Sequence, residues 1–350
     1  MDLLEARRLF DPEPGWLNSA SYGLPPRPAW AALQEALDDW RHGRTSWEPW
    51  AEATERARAA FARLIGASPG DIAVGAAVSQ QVGLVAAALP EGARVLAPEV
   101  EFTSNLFPYL VQRDRGVTVE MVPLAELVDR IDERVDLVAL SAVQSATGEV
   151  SDLAAVAARA RDVGARVVVD ATQAVGWHEI DVAQVDALVC AAYKWLCAPR
   201  GTSFCYLAPD LREQITPHAA GWYAGADVHA SYYGPRMELA ADARRFDISP
   251  AWHCWVGAAP ALELIEQVGV AAIEEHDVGL ANRFRAGLGL PAGDSAIVSL
   301  GADVVPEDAG QRLAEAGIRA ASRAGSLRAS FHLYTTEADV DAAVAALTTH

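Results

Sequence analysis

Two apolar runs in this sequence end in residues that can do chemistry. Val167-Val168-Val169 runs into Asp170, and Ala187-Leu188-Val189-Cys190-Ala191-Ala192 runs into Tyr193-Lys194-Trp195. A carboxylate that closes a buried strand either faces a ligand at the sheet edge or caps the following helix, and the residues alone leave the two readings level. A lysine between aromatic rings at a strand end is partly desolvated. Desolvation disfavours the ammonium and moves its pKa toward that of a nucleophilic amine. A snorkelling surface lysine is the bland alternative, and it is the weaker one because lysine is scarce in this chain. A third candidate lies in Ala76-Ala77-Val78-Ser79-Gln80-Gln81, where a strand turns into a helix. A helix N-terminus offers free N–H groups and a positive dipole end to a phosphate. An ordinary N-cap explains Ser79 equally well.

The elements that must carry these residues follow from the hydropathy pattern. Helical spacing covers 29–40 and 50–65. From residue 71 short apolar runs (72–74, 93–97, 118–122, 137–141, 167–170, 187–191, 203–207) alternate with helical stretches (79–88, 105–113, 154–162, 210–216). That rhythm means βαβ units and a mostly parallel sheet covered on both faces, with ligands at the carboxyl ends of its strands. A long helix begins near Ala251. A smaller α+β unit follows Leu290: strand 295–300, helix 308–316, strand 327–331, helix 337–347. The expected division is an N-terminal arm (1–28), a large α/β domain (29–265) and a small α+β domain (266–350).

Composition narrows the classes. A net charge of −19 argues against nucleic acid, which needs clustered Lys and Arg. No apolar run is long enough for a membrane span, and the N-terminus lacks the apolar stretch of a signal peptide. The four cysteines show neither CxxC nor metal spacing and read as reduced thiols of a cytoplasmic protein, with no metal site. No GxGxxG follows a predicted strand, which argues against a nucleotide-binding dehydrogenase.

Taken together, the segments around Asp170, Lys194 and Ser79 resemble the class-V aminotransferase group of pyridoxal-phosphate enzymes, whose architecture is fold type I. That group includes cysteine desulfurases, kynureninases, isopenicillin N epimerase-like proteins and C–S lyases. The resemblance runs from Leu17-Asn18 to Arg328 and implies a large domain with a mostly parallel mixed sheet plus a small C-terminal α+β domain. It implies that Lys194 forms the Schiff base with pyridoxal 5′-phosphate and shuttles the α-proton of an amino-acid substrate. Asp170 would pair with the ring nitrogen, keeping it protonated so that the cofactor acts as an electron sink. Gln173 would contact the ring hydroxyl, Phe102 would stack on the ring, and Ser79 with Gln80 would hold the phosphate. Tyr193 stands where kynureninases carry a phosphate-binding tyrosine, while Ala191 replaces a desulfurase-type serine. Gly221-Trp222-Tyr223 and Arg245-Phe246-Asp247-Ile248-Ser249-Pro250 resemble further cofactor segments, so that Trp222 and Ser249 would reach a phosphate, in the neighbouring subunit of a homodimer with shared sites. Leu327-Arg328-Ala329-Ser330-Phe331-His332 resembles the family's closing motif, with Arg328 clamping the substrate carboxylate. Asn18 and Ser145 would assist in substrate binding.

Desulfurases carry a cysteine on a loop shortly before that arginine, and the stretch from Gly317 to Ser326 has none. The sequence therefore points away from a cysteine desulfurase, and Lys194-Trp195-Leu196, Pro199-Arg200-Gly201 and Ser145 look most like a β-eliminating C–S lyase acting on an S-substituted cysteine. An aminotransferase, a kynureninase-like hydrolase or an epimerase stand behind it. A catalytically degenerate cofactor-binding protein is the reading from a different class, and the joint presence of Lys194, Asp170 and Arg328 weighs against it.

Overall fold

The computed structural model describes residues 1–348, so the last two positions of the expected small unit lie outside it. Three helices, α1 (Leu3–Arg7), α2 (Arg27–His42) and α3 (Glu48–Leu64), precede the first strand. There follow β1 (Ile72–Gly75), α4 (Val78–Ala88), β2 (Arg94–Pro98), α5 (Thr103–Leu110), β3 (Thr118–Val122), α6 (Leu127–Arg130), β4 (Leu137–Ser141), α7 (Leu153–Val163), β5 (Arg166–Asp170), β6 (Ala187–Ala191), β7 (Ser203–Leu207) and α8 (Pro209–Gln214). The sheet runs β3-β2-β4-β5-β6-β7-β1, and β7 alone is antiparallel to its neighbours. The α/β class and the mostly parallel sheet expected from the sequence are thus both present.

The sheet forms because its strands are apolar on both faces. Val138, Leu140, Val167, Val169 and Leu188 pack to one side with Phe61 and Trp255. The alternate residues Leu137, Ala139, Val168, Ala187 and Val189 pack to the other with Val82 and Val85. That period of two, apolar either way, belongs to a strand covered twice. Local signals set the helix ends. Asp152 caps α7 by accepting from the Ala155 N–H at 2.9 Å, and Gly164 ends it with φ of 78°.

After the sheet come α9 (Trp252–Val268) and α10 (Val270–Gly287), then β8 (Ile297–Leu300), α11 (Ala309–Glu315), β9 (Ala321–Arg323), β10 (Ser326–Ser330) and α12 (Glu337–Thr348). The order β8-β10-β9 makes a small antiparallel sheet. Residue 265, where the sequence places the domain boundary, lies inside α9. The arm is tied to the small sheet: Leu17 donates to the Arg319 carbonyl and accepts from the Ser330 N–H, each at 2.9 Å. The short helices α1 and α6, the helix α10 and the strand β9 were not foreseen. β9 is only three residues long, and α10 carries Glu274, Glu275, His276 and Asp277 among its apolar positions, which blurs a helical stripe.

One buried ion pair fixes a segment that bears on the site. Arg58 and Asp247 meet at 2.6 Å, both out of solvent, and Asp247 also accepts from the Val74 N–H at 2.8 Å. Burial drives the Asp247 carboxyl up to about 6, with Arg58 pulling it back. The pair therefore anchors Phe246–Pro250 to β1, and removing one partner would strand a charge at a cost of about 3–5 kcal/mol.

Candidate active site

Apart from β7, the strands of the large sheet all point one way, and the loops after β1, β2, β4, β5 and β6 converge on a single cavity. Its lining includes Ala76, Ala77, Val78, Phe102, Ser145, Asp170, Gln173, Tyr193, Lys194 and Arg200. A wider hollow near Ile65, Asp152 and Val270 is open to solvent. Its one imidazole, His178, is held by Glu274 at 2.7 Å, so it lacks the convergent free groups of the smaller cavity.

Lys194 is the only lysine in the chain. It stands three residues beyond β6 in a tight turn closed by Ala198 N–H to Ala192 O and Cys197 N–H to Lys194 O, both at 3.1 Å. Gly23 packs directly on this turn: a Cβ there would fall 2.0 Å from the Lys194 carbonyl, so only glycine allows the approach. The Lys194 Nζ lies 5.6 Å from the Phe102 ring centre and 5.9 Å from that of Tyr193. Burial lowers its pKa to about 8; Asp170 opposes this, and Arg328 adds to it.

Asp170 closes β5 and does not cap a helix, because the chain beyond it forms turns. Its Oδ1 accepts from the Thr172 N–H at 2.9 Å. Burial pushes its pKa up, and the Thr172 contacts and Lys194 pull it down. Gln173 is fully engaged as a donor: Nε2 reaches the Ala20 carbonyl and the Ser145 hydroxyl, each at 3.0 Å. Its Oε1 accepts from the Trp195 indole at 2.9 Å and keeps one lone pair for a donor in the cavity. Phe102 borders the cavity on the approach to α5, with its N–H on Glu101 Oε1 at 3.0 Å. Glu101, which the sequence pattern does not single out, is buried and held by the Ser141 N–H at 2.7 Å. It thereby links the loop bearing Phe102 to the end of β4.

α4 starts without a side-chain cap, since its N-cap is Ala77. The first-turn N–H groups are free of intrahelical partners at the cavity wall, as an anion site requires. The Ser79 side chain is exposed and is not among those lining the cavity, and the Gln80 side chain folds back to accept from the Ala76 N–H at 2.9 Å. The groups free to meet an anion here are therefore backbone N–H groups of the first turn, Val78–Gln80.

Arg328, on β10, is 1% exposed and has no carboxylate within ion-pair distance among the described residues. It donates to the Ser145 carbonyl at 2.5 Å and hydroxyl at 3.1 Å, and to the Ser21 hydroxyl at 3.1 Å. Its Nε has no partner among the described residues. Arg323 donates to the same Ser21 hydroxyl at 3.2 Å. Burial, helped by Arg323, lowers the Arg328 pKa to about 10. A buried guanidinium lacking a counter-ion is prepared for an incoming carboxylate.

Three expected residues stand apart from this cavity in the protomer. Trp222 sits in an aromatic cluster 5.3 Å from the ring centres of Trp47 and Tyr232. Ser249 is exposed. Asn18 faces a neighbouring hollow with Trp16, Tyr22 and Arg319. Thr172 and Arg200 line the cavity although neither was expected there as a site residue; Thr172 Oγ1 accepts from the Ala191 N–H at 3.0 Å.

An amine of lowered pKa opposite a buried carboxylate, a flat ring beside it and free helix N–H groups suit a phosphorylated aromatic aldehyde. Comparison with known proteins points the same way. The family description "Aminotransferase class-V" matches residues 40–293. The chain is 29% identical to an uncharacterized aminotransferase, YcbU, of Bacillus subtilis, over 74% of this chain and 71% of the relative. It is 28% identical to a probable cysteine desulfurase of Methanothermobacter thermautotrophicus, over 77% and 71%. By fold it matches the crystal structure of the cysteine desulfurase CsdA from Escherichia coli with a TM-score of 0.85 and 23% identity, covering 99% of this chain and 97% of that one.

These matches correct one expectation. The sequence favoured a β-eliminating lyase and set cysteine desulfurases aside, yet relatives named as desulfurases recur at 27–30% identity. Setting desulfurases aside rested on the missing thiol in Gly317–Ser326, a stretch that here includes β9 and leads into β10, and the lyase reading rested on the segments around Lys194, Arg200 and Ser145. The shared cofactor frame, which makes up most of the chain, does not follow that loop: the cystine C–S lyase C-DES matches by fold at the same TM-score of 0.85.

Proposed function

The chain belongs to the class-V aminotransferase family and is a pyridoxal-phosphate enzyme; from that premise we propose that it removes the sulfur of L-cysteine, or of a close sulfur amino acid, and passes it to a thiol from outside the chain. The carrying observation is the placement of Lys194 Nζ between the rings of Phe102 and Tyr193, in one cavity with Asp170 and next to the unpaired Arg328. The substrate class comes from the relatives named as desulfurases.

Pyridoxal phosphate bound in this cavity supplies an electron sink for bonds broken at Cα. Asp170 would hold a proton at its ring nitrogen, and the free N–H groups of the α4 N-terminus would bind its phosphate. Arg328 fixes the α-carboxylate of the substrate through a planar fork already oriented by Ser145 and Ser21. Lys194, whose lowered pKa of about 8 leaves a share of it as free amine near neutral pH, takes the proton from Cα and later returns one to the product. The sulfur acceptor is external because none of the four cysteines lines the cavity: Cys190, Cys197 and Cys205 are buried, and Cys254 lies on α9. In the transfer the Cβ–S bond breaks, the acceptor thiolate forms an S–S bond, and Cβ gains a proton to give alanine.

The same reading makes the protein a cytoplasmic homodimer, with the Trp222 and Ser249 segments turned toward the neighbouring subunit's site. Its support is their separation from the cavity within one protomer and the four free thiols. No single helix among the described residues is long and apolar enough to cross a membrane; α9 and α10 pass such a test only as a pair bent by 84°. The reaction is tested by incubating the purified holoenzyme with L-cysteine, with and without a small thiol. Alanine and persulfide that form together and depend on the thiol support the proposal. Failure to form alanine contradicts it.

A further inference from the structure

Among the described residues, Lys194 and Arg200 are the only cations that line the cavity. Arg200 follows the Lys194 turn, in a bend fixed by the Thr202 hydroxyl on the Pro199 carbonyl at 2.8 Å and by Gly201 at φ of 102°. Its guanidinium carbon lies 4.6 Å from the Tyr193 ring centre, so the ring face steadies the group. No carboxylate among the described residues pairs with Arg200, although most of the chain's arginines are paired and the chain carries a net charge of −19. A guanidinium without a carboxylate partner, steadied on Tyr193 at the rim of the cavity, is open to an anionic group of a ligand.

The cofactor brings one. Its phosphate is a dianion, and it enters a cavity that already holds the Asp170 carboxylate. The N-terminus of α4 at Val78–Gln80 contributes partial charge only. Ala191 has no hydroxyl to offer, and Lys194 is committed to the aldehyde carbon. Arg328 lies behind Ser145, held for the substrate. The geometry points to Arg200 as the charge partner of the cofactor phosphate, laid on Tyr193 and facing the N-terminus of α4 across the cavity. Its planar fork can take two phosphate oxygens at once, which a lysine could not match.

This inference rests on the cofactor reading and is tested without turnover. Full-length protein stripped of cofactor is titrated with pyridoxal phosphate and, separately, with pyridoxal, following the absorbance of the captured aldehyde. Arg200→Gln should weaken pyridoxal phosphate at least about tenfold, the effect of losing one charge-assisted contact, and leave pyridoxal within about twofold. Arg200 is exposed, so the unfolding midpoint of the variant checks that the fold is intact. Equal weakening of both ligands would overturn the inference in favour of a structural role. Unchanged pyridoxal phosphate affinity with a raised substrate KM would overturn it in favour of an anion on the substrate. Failure of the wild type to capture pyridoxal phosphate would instead refute the cofactor reading itself.

Discussion

His332 Nε2 lies 3.0 Å from the carbonyl oxygen of Trp195, the residue next to Lys194, and His332 Nδ1 lies 2.9 Å from Asp277. Both partners only accept, so the ring must donate from both nitrogens and is an imidazolium. Burial works against that charge, but Cys197 and Asp277 outweigh it and raise the pKa to about 10. A folded-state pKa above the unfolded 6.5 means that the stabilisation is complete below 6.5 and is lost as pH rises toward 10. His332→Leu should cost about 3–5 kcal/mol near neutral pH by leaving Asp277 short of a buried partner. The difference from wild type in denaturant unfolding should shrink between about pH 6 and about pH 10. An equal difference at both would show that the ring is neutral.

Lys194 should capture pyridoxal phosphate with a pH dependence set by its lowered pKa. Only the free amine attacks, so the capture rate should climb with pH and level off just above about 8. A solvent-exposed lysine would keep accelerating to about 10.4. Stopped-flow absorbance from about pH 6 to about 10.5 separates the two, and a rate still rising near the upper end would mean that the amine is solvated.

Arg328→Ala should raise the substrate KM and leave the cofactor spectrum as in wild type. Losing one side of a desolvated charge pair costs about 2–5 kcal/mol, so kcat/KM should fall at least about tenfold. Arg328→Lys should restore little, because Ser145 and Ser21 are spaced for a planar fork. A wild-type KM in either variant would place the carboxylate elsewhere.

Most of this architecture could be read from the residues because the sheet strands are continuous apolar runs bounded by polar turns. Lys194 and Asp170 stood out for the same reason: a charge at the end of such a run is costly to bury unless a ligand or a partner meets it there. Ser79 shows the limit of that logic. Its position at the start of α4 was visible, but the exposed hydroxyl and the role of the neighbouring backbone depend on where the helix begins. Glu101 and the place of Arg200 in the cavity were missed because nothing in their immediate sequence shows that Glu101 binds Ser141 from another strand or that Arg200 folds over Tyr193. The branch of chemistry was misread because the loop before Arg328 is local, whereas the frame shared with the desulfurases is distributed over the chain.

Lys194 is the one side-chain amine that can hold the cofactor covalently, and trapping the bond tests this. Borohydride reduction of the holoenzyme, followed by trypsin and mass analysis, should place the phosphopyridoxyl adduct on the peptide from Val167 to Arg200. The adduct should also block cleavage after Lys194, the chain's only lysine. Lys194→Ala should carry no adduct. An adduct at the N-terminal amine of Met1, or one that persists in Lys194→Ala, would contradict the account.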